Sequence, residues 1–181
     1  MARIQPLQNP SGKAEELLGM VQKKLGMIPN MMKTMAHSPA VLEAYLNFSG
    51  ALNGSSIPLK IREQIALLAA KVNCCDYCAA AHSVIGQKAG LTAEEVESSF
   101  KCCSTDPKTQ AMLSLAKAIL EKNGNATEDD IANARKAGLS DVELVEIPAI
   151  VGLNVFTNYF NHVVDPEIDF PQVTTSCCSC C

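Results

Sequence analysis

Tryptophan is absent from this 181-residue sequence, and tyrosine and phenylalanine number only three and five. Few rings are left to stack on bases, and a formal charge of −4 offers no basic excess to neutralise phosphates. Both deficits argue against a nucleic-acid partner. Long hydrophobic runs are missing too: the purest, residues 65–70, falls far short of the roughly 20 apolar residues a membrane helix needs. The first stretch, residues 1–12, is polar and carries Pro6 and Pro10, so no secretory apolar segment is expected there. No stretch alternates with period two between hairpin turns, which argues against strands. What remains is 48% hydrophobic and 19% charged, enough to fill a core and too apolar for a disordered chain. The expectation is a soluble, cytoplasmic protein with neither membrane nor nucleic acid as partner.

Helix punctuation is plentiful. Leu17, Leu18, Val21 and Leu25 line one side of a segment that opens at Ser11 or Gly12 and stops at Gly26. Ser38-Pro39 reads as an N-cap followed by proline at the first helical position, and Ile57-Pro-Leu opens another helix. Asp106-Pro, Thr127-Glu-Asp-Asp and Ser140-Asp-Val-Glu mark further starts, the last two as capping boxes. Gly90 and Gly138 stand where helices end. The fold class expected is all-α, with about seven to nine helices in one domain over residues 1–171. Residues 172–181 form a short Cys-rich tail. Lys88-Ala-Gly-Leu-Thr and Lys136-Ala-Gly-Leu-Ser repeat one pattern, by chance or by duplication of a helix pair.

Cysteine is in excess. There are nine, at positions 74, 75, 78, 102, 103, 177, 178, 180 and 181. An odd number in tight clusters is not an extracellular disulfide framework; it points to redox chemistry or metal binding. The informative stretch is Asn73-Cys-Cys-Asp-Tyr-Cys-Ala-Ala-Ala-His82. On a helix Cys75, Cys78 and His82 share one narrow face, since positions three and four apart are neighbours. A free thiol, with a pKa of about 8.5, is mostly protonated at neutral pH and needs help to ionise. The N–H groups of a helix start favour negative charge on either sulfur, and an imidazole one turn beyond Cys78 can take its proton. The second thiol can trap a sulfenic acid as a disulfide before it over-oxidises. The helix start favours Cys75 as attacker, and adjacency to His82 favours Cys78. Glu63 lies upstream on a helix whose apolar stripe is Ile61, Ile65, Leu68 and Val72. By composition it reads as a solvated carboxylate paired with Lys60 or Arg62; by its apolar neighbours Leu67 and Ala70 it is a candidate proton-transfer group.

Arg62-Glu63 followed by Asn73-x-Cys75-x-Tyr77-Cys78-x3-His82 resembles the signature of the alkylhydroperoxidase D and carboxymuconolactone decarboxylase superfamily. Gly26-x-Ile-Pro-Asn, Met35-Ala-His-Ser-Pro39 and Phe160-Asn-His162 with Asp165 and Phe170-Pro are similar to its peroxidase-related branch, so the likeness covers roughly residues 20–171. The resemblance implies an all-helical homo-oligomer, a trimer or hexamer. It also implies a relay in which Glu63 and His82 assist Cys78, which attacks a peroxide substrate, and Cys75 resolves the product. Turnover then needs no bound cofactor, with electrons supplied by a lipoyl or thioredoxin-like dithiol protein. Peroxidases of the family carry a second histidine before the distal cysteine, where this chain has Tyr77. Lactone decarboxylases of the superfamily lack the cysteine pair, which argues against decarboxylation. The same pair would equally serve a disulfide reductase; the alternatives are a Cys3His zinc site built from Cys75, Cys78, His82 and a tail thiol, and a redox sensor without turnover.

Other residues carry plainer expectations. Cys74 reads as a small buried hydrophobe, and Cys102 and Cys103 as packing or incidental thiols. Residues 142–164 are apolar almost all round, with Pro148 as a kink, and belong in a core or a subunit contact. Asn154, Asn158 and His162 recur every four residues along that segment; His162 is expected as a hydrogen-bonded core histidine rather than a member of the thiol pocket. His37 reads as structural, and the methionines at 20, 27, 31, 32 and 35 as core filler. The final Cys177-Cys-Ser-Cys-Cys181 reads as a tail with incidental thiols, ahead of soft-metal capture or prenylation at Cys178.

Overall fold

A computed structural model describes residues 2–173. Those residues form nine α-helices, with no strand among them. In chain order they are α1 (Lys13–Leu25), α2 (Asn30–Met35), α3 (Pro39–Ala51), α4 (Leu59–Val72), α5 (Asp76–Lys88), α6 (Ala93–Phe100), α7 (Pro107–Glu121), α8 (Glu128–Lys136) and α9 (Asp141–Val164). None is long and apolar enough to cross a membrane. The tail thiols 177–181 lie outside the described residues.

Helix α4 sits at the centre, packed on α5, α6, α7 and α9. Residues 63–70 of α4 are buried all round, so the stripe expected on one face is only part of what the helix covers. Ile65, Leu68, Met112, Leu113, Ile147 and Ile150 form one core cluster with α7 and α9. A second gathers Leu17, Leu18 and Val21 of α1, Met31, Met32 and Met35 of α2, and Cys75, Tyr77 and Cys78 of α5. The redox motif is thus built into a hydrophobic cluster rather than displayed on a loop.

The corner between α4 and α5 sets the motif's position. Cys74 N–H donates to the Lys71 carbonyl and Cys75 N–H to the Ala70 carbonyl, at 3.2 and 2.8 Å. These bonds close α4 as a Schellman motif, whose left-handed residue is Cys74 at φ 52°. Glycine usually fills that position. The corner presents Cys74 to solvent, contrary to the expected burial, and leaves Cys75 as the N-cap of α5. Further on, Gly86 lets α5 close on its neighbours: a Cβ there would lie 2.7 Å from Leu91 Cδ1 and 3.5 Å from Glu63 Cβ. The repeated Lys-Ala-Gly-Leu pattern is one local device used twice. Gly90 and Gly138 end α5 and α8 at positive φ, and capping boxes at Thr92 and Ser140 start α6 and α9.

Helix α9 runs unbroken through Pro148. One of its sides is buried through Ile147, Ile150, Val151, Asn154, Asn158 and Asn161. Another exposes Val142, Val145, Phe156, Tyr159 and Val163.

Candidate active site

Cys75 and Cys78 are joined by a disulfide, with their Cα atoms 5.3 Å apart. Each residue is only 3% exposed. Cys75 Sγ caps α5 by accepting from the Cys78 backbone N–H at 3.4 Å, so the first sulfur of the motif takes one of the unpaired donors of the helix start. His82 lies one turn beyond Cys78 on the same helix. Its Nδ1 is 2.7 Å from Glu63 Oε2, reaching across the α4–α5 contact.

That contact corrects the plainer reading of Glu63. The residue is 7% exposed, and its expected surface partners are engaged elsewhere. Lys60 pairs with Glu95 at 2.7 Å, and Arg62 donates to the Leu52 carbonyl. With Glu63 on Nδ1, Nε2 is the ring nitrogen of His82 that this carboxylate does not engage. Tyr45 of α3 lies close enough to feel this carboxylate: burial first, and then the charge of Glu63, push its phenol up to about 12.

Tyr77, between the two cysteines, is tied into the fold through its hydroxyl. Its hydroxyl donates to Asp169 Oδ1 at 2.7 Å and accepts from the Met31 backbone N–H at 3.2 Å. Asp169 Oδ2 takes the Asn30 N–H at 2.7 Å, and Phe170 packs edge-on against the Tyr77 ring with centroids 5.7 Å apart. Burial, followed by the hydrogen bond to Asp169, drives the Tyr77 phenol far above its ordinary value. It is no base at neutral pH; it ties α5 to α2 and to the chain after α9.

Asn161 of α9 was not foreseen as a site residue. It is 4% exposed, and its Nδ2 is 3.2 Å from Cys78 Sγ, 3.4 Å from Met31 Sδ and 3.9 Å from Cys75 Sγ. The available signal was its spacing: Asn154, Asn158 and Asn161 stand at i, i+4 and i+7 on one side of α9. His162 is on the surface instead of in the core, with Nε2 2.6 Å from the Asn73 carbonyl. Asn73 in turn donates to Asn158 Oδ1 at 2.8 Å. His37 is held by the Gln5 carbonyl at 2.9 Å, as a structural residue would be.

Cys102 and Cys103 follow α6, outside the α4–α5 corner that holds the pair. Cys102 packs against the α7–α9 core, where burial pushes its thiol up, and Cys103 is exposed. Among the described residues no three His, Cys, Asp or Glu side chains are grouped to hold a metal ion. A groove of about 580 Å3 opens between α7, α8 and α9, lined by Leu115, Ile119, Pro148 and Val155 among others, and by none of Glu63, Cys75, Cys78 and His82.

Fold and site together make an all-helical architecture with a CxxC pair at the start of α5. Residues 39–101 match the model of the carboxymuconolactone decarboxylase family, a stretch that runs from α3 past α6 and contains Glu63, both cysteines and His82. Among solved structures, the chain is similar to an uncharacterised peroxidase-related protein from Silicibacter sp. TM1040, with TM-score 0.81 and 23% identity over 90% of this chain and 88% of that one. It is also similar to an uncharacterised peroxidase-related protein with an alkylhydroperoxidase AhpD core from Ralstonia eutropha JMP134, with TM-score 0.77 and 23% identity over 93% and 92%. A Cys→Ala variant of the debrominase Bmp8 in complex with 2,3,4-tribromopyrrole matches with TM-score 0.79 and 22% identity over 92% and 91%. At such identities the likeness is one of fold. No curated protein matches the sequence.

Proposed function

We propose that the chain is a thiol-dependent hydroperoxidase. The observation that carries the reading is the Cys75–Cys78 disulfide at the start of α5, with His82 on the same helix paired to Glu63. In the reduced protein His82, oriented by Glu63, takes the Cys78 proton, and the thiolate attacks the peroxide. Cys75 then closes the disulfide, and a lipoyl or thioredoxin-like dithiol restores the pair by exchange. A reducing compartment such as the cytoplasm would keep the pair cycling.

The exposed row of Val145, Phe156, Tyr159 and Val163 on α9 supports a homo-oligomer, because an apolar row of this kind is costly to leave in water, and the resemblance implies a trimer or hexamer. Light scattering would give its mass.

The decisive experiment follows hydroperoxide-dependent oxidation of a small dithiol. Cys78→Ser should abolish turnover, and His82→Ala should slow it steeply. Mass spectrometry after sub-stoichiometric peroxide should find the new bridge between positions 75 and 78. Full turnover in Cys78→Ser would end the proposal. A disulfide that forms without turnover would instead favour a redox sensor.

A further inference from the structure

The amide nitrogen of Asn161 faces three sulfurs: Cys78 Sγ at 3.2 Å, Met31 Sδ at 3.4 Å and Cys75 Sγ at 3.9 Å. A thioether and a disulfide have no hydrogen to give, so only the NH2 end of the carboxamide suits them. The carbonyl oxygen, Oδ1, is buried and has no hydrogen-bond partner among the described residues. An unpaired buried acceptor is expensive, and an apolar side chain of similar size would fill the same space without the penalty. The Cys78 backbone N–H is spent on Cys75 Sγ, so the side-chain donor on the Cys78 sulfur comes from Asn161.

We propose that Asn161 is a catalytic residue that holds the Cys78 sulfur through Nδ2 and accepts, at Oδ1, the terminal O–H of a hydroperoxide. The inference rests on the hydroperoxidase reading and names the residue that would orient its substrate. Donor and acceptor sit on one planar amide, so the sulfur and the terminal peroxide oxygen are brought side by side. The Cys78 thiolate forms the S–O bond to that oxygen as the O–O bond breaks. Sulfur is oxidised to sulfenic acid, and the peroxide is reduced. The alkoxide leaves as an alcohol with the proton His82 took from Cys78. Cys75 then attacks the sulfenic sulfur: the S–S bond forms, the S–O bond breaks, and the hydroxide departs as water with the Cys75 proton. Dialkyl peroxides, which carry no O–H, would be poor substrates.

The test uses Asn161→Asp, which keeps the shape but faces the sulfur with a carboxylate, Asn161→Leu, which removes both groups, and Asn161→Ser, which keeps a shorter donor and acceptor. Iodoacetamide alkylation of Cys78 in the reduced protein is followed against pH by mass spectrometry. Oxidation by hydrogen peroxide and tert-butyl hydroperoxide is followed in parallel. In Asn161→Asp the midpoint of the alkylation profile should rise by about one pH unit. Oxidation should slow by about tenfold or more in Asn161→Asp and Asn161→Leu, with part of the rate restored in Asn161→Ser. Circular dichroism identifies any variant that fails to fold, in which case the serine variant alone must show oxidation slower than wild type. An active wild type with unaltered variants overturns the Asn161 assignment alone. A wild type inert to both hydroperoxides overturns the hydroperoxidase reading and the Oδ1 assignment with it.

Discussion

Replacing Tyr77 by phenylalanine removes one oxygen atom from the interior and little else, which makes its cost readable from the hydrogen bonds that oxygen makes. The hydroxyl donates to a carboxylate oxygen of Asp169 at 2.7 Å and accepts from the Met31 N–H at 3.2 Å. A hydrogen bond to a charged group contributes about 1.5–3 kcal/mol, and a buried N–H that loses its acceptor costs about 1–3 kcal/mol more. Met31 lies in the first turn of α2, where helix geometry offers its N–H no partner within the helix. Asp169 is half-buried, so water can reach its freed oxygen and the two costs will not add in full. Tyr77→Phe should therefore destabilise by about 2–3 kcal/mol, a large part of the roughly 5–15 kcal/mol that holds a domain together.

Urea unfolding followed by circular dichroism at pH 7 reads this difference, provided the denaturant slope is unchanged. Asp169→Asn is the second arm and the double variant the third. If the contact carries the cost, the two single effects should overlap by about 1 kcal/mol or more. A Tyr77→Phe protein within about 0.5 kcal/mol of wild type, with effects that add, would refute the reasoning. Catalysis gives an independent check. A phenol held protonated by burial has no proton-transfer task, so the pH profile of peroxide turnover should keep its shape in Tyr77→Phe while stability falls.

Two further outcomes follow from the carboxylates. Glu63→Gln keeps the shape but removes the charge facing His82 Nδ1, so peroxide-driven oxidation of Cys78 should slow by about a hundredfold, read by stopped-flow with the thermal midpoint as control; an unchanged rate would detach Glu63 from the relay. Asp130 is held down to about 2 by Lys122 first, and then by the Thr127 backbone and hydroxyl at the start of α8. Its contribution is complete above its ordinary value near 3.8 and fades as pH falls towards about 2. Asp130→Asn should therefore melt earlier than wild type at pH 5 to 7, with the gap closing as pH falls through that window; a gap that widens in acid would reverse the sign of the argument.

Spacing along one helix was readable in advance, and packing between distant helices was not. Cys75, Cys78 and His82 needed only a helix start near position 75, and α5 begins at Asp76. Glu63 could be attached to them through the resemblance, while composition alone made it a surface residue, because nothing local reveals that α4 is covered on every side. The four-residue recurrence of Asn154, Asn158 and His162 misled for a geometric reason. Four residues overshoot a turn of 3.6, so the row drifts round the helix and has left the buried side by His162, whereas seven residues from Asn154 nearly complete two turns and return to that side at Asn161. Cys74 misled because a hydrophobic residue type was read without its backbone: the left-handed position closing α4 turns that side chain outward. Asn161 meets Cys78 from 83 residues away, through the packing of α9 on α5. The buried amide is the part of the site that depends on the whole fold, and damage to the α5–α9 contact should therefore reach the chemistry of Cys78 before it reaches the Glu63–His82 pair, which rests on α4 and α5 alone.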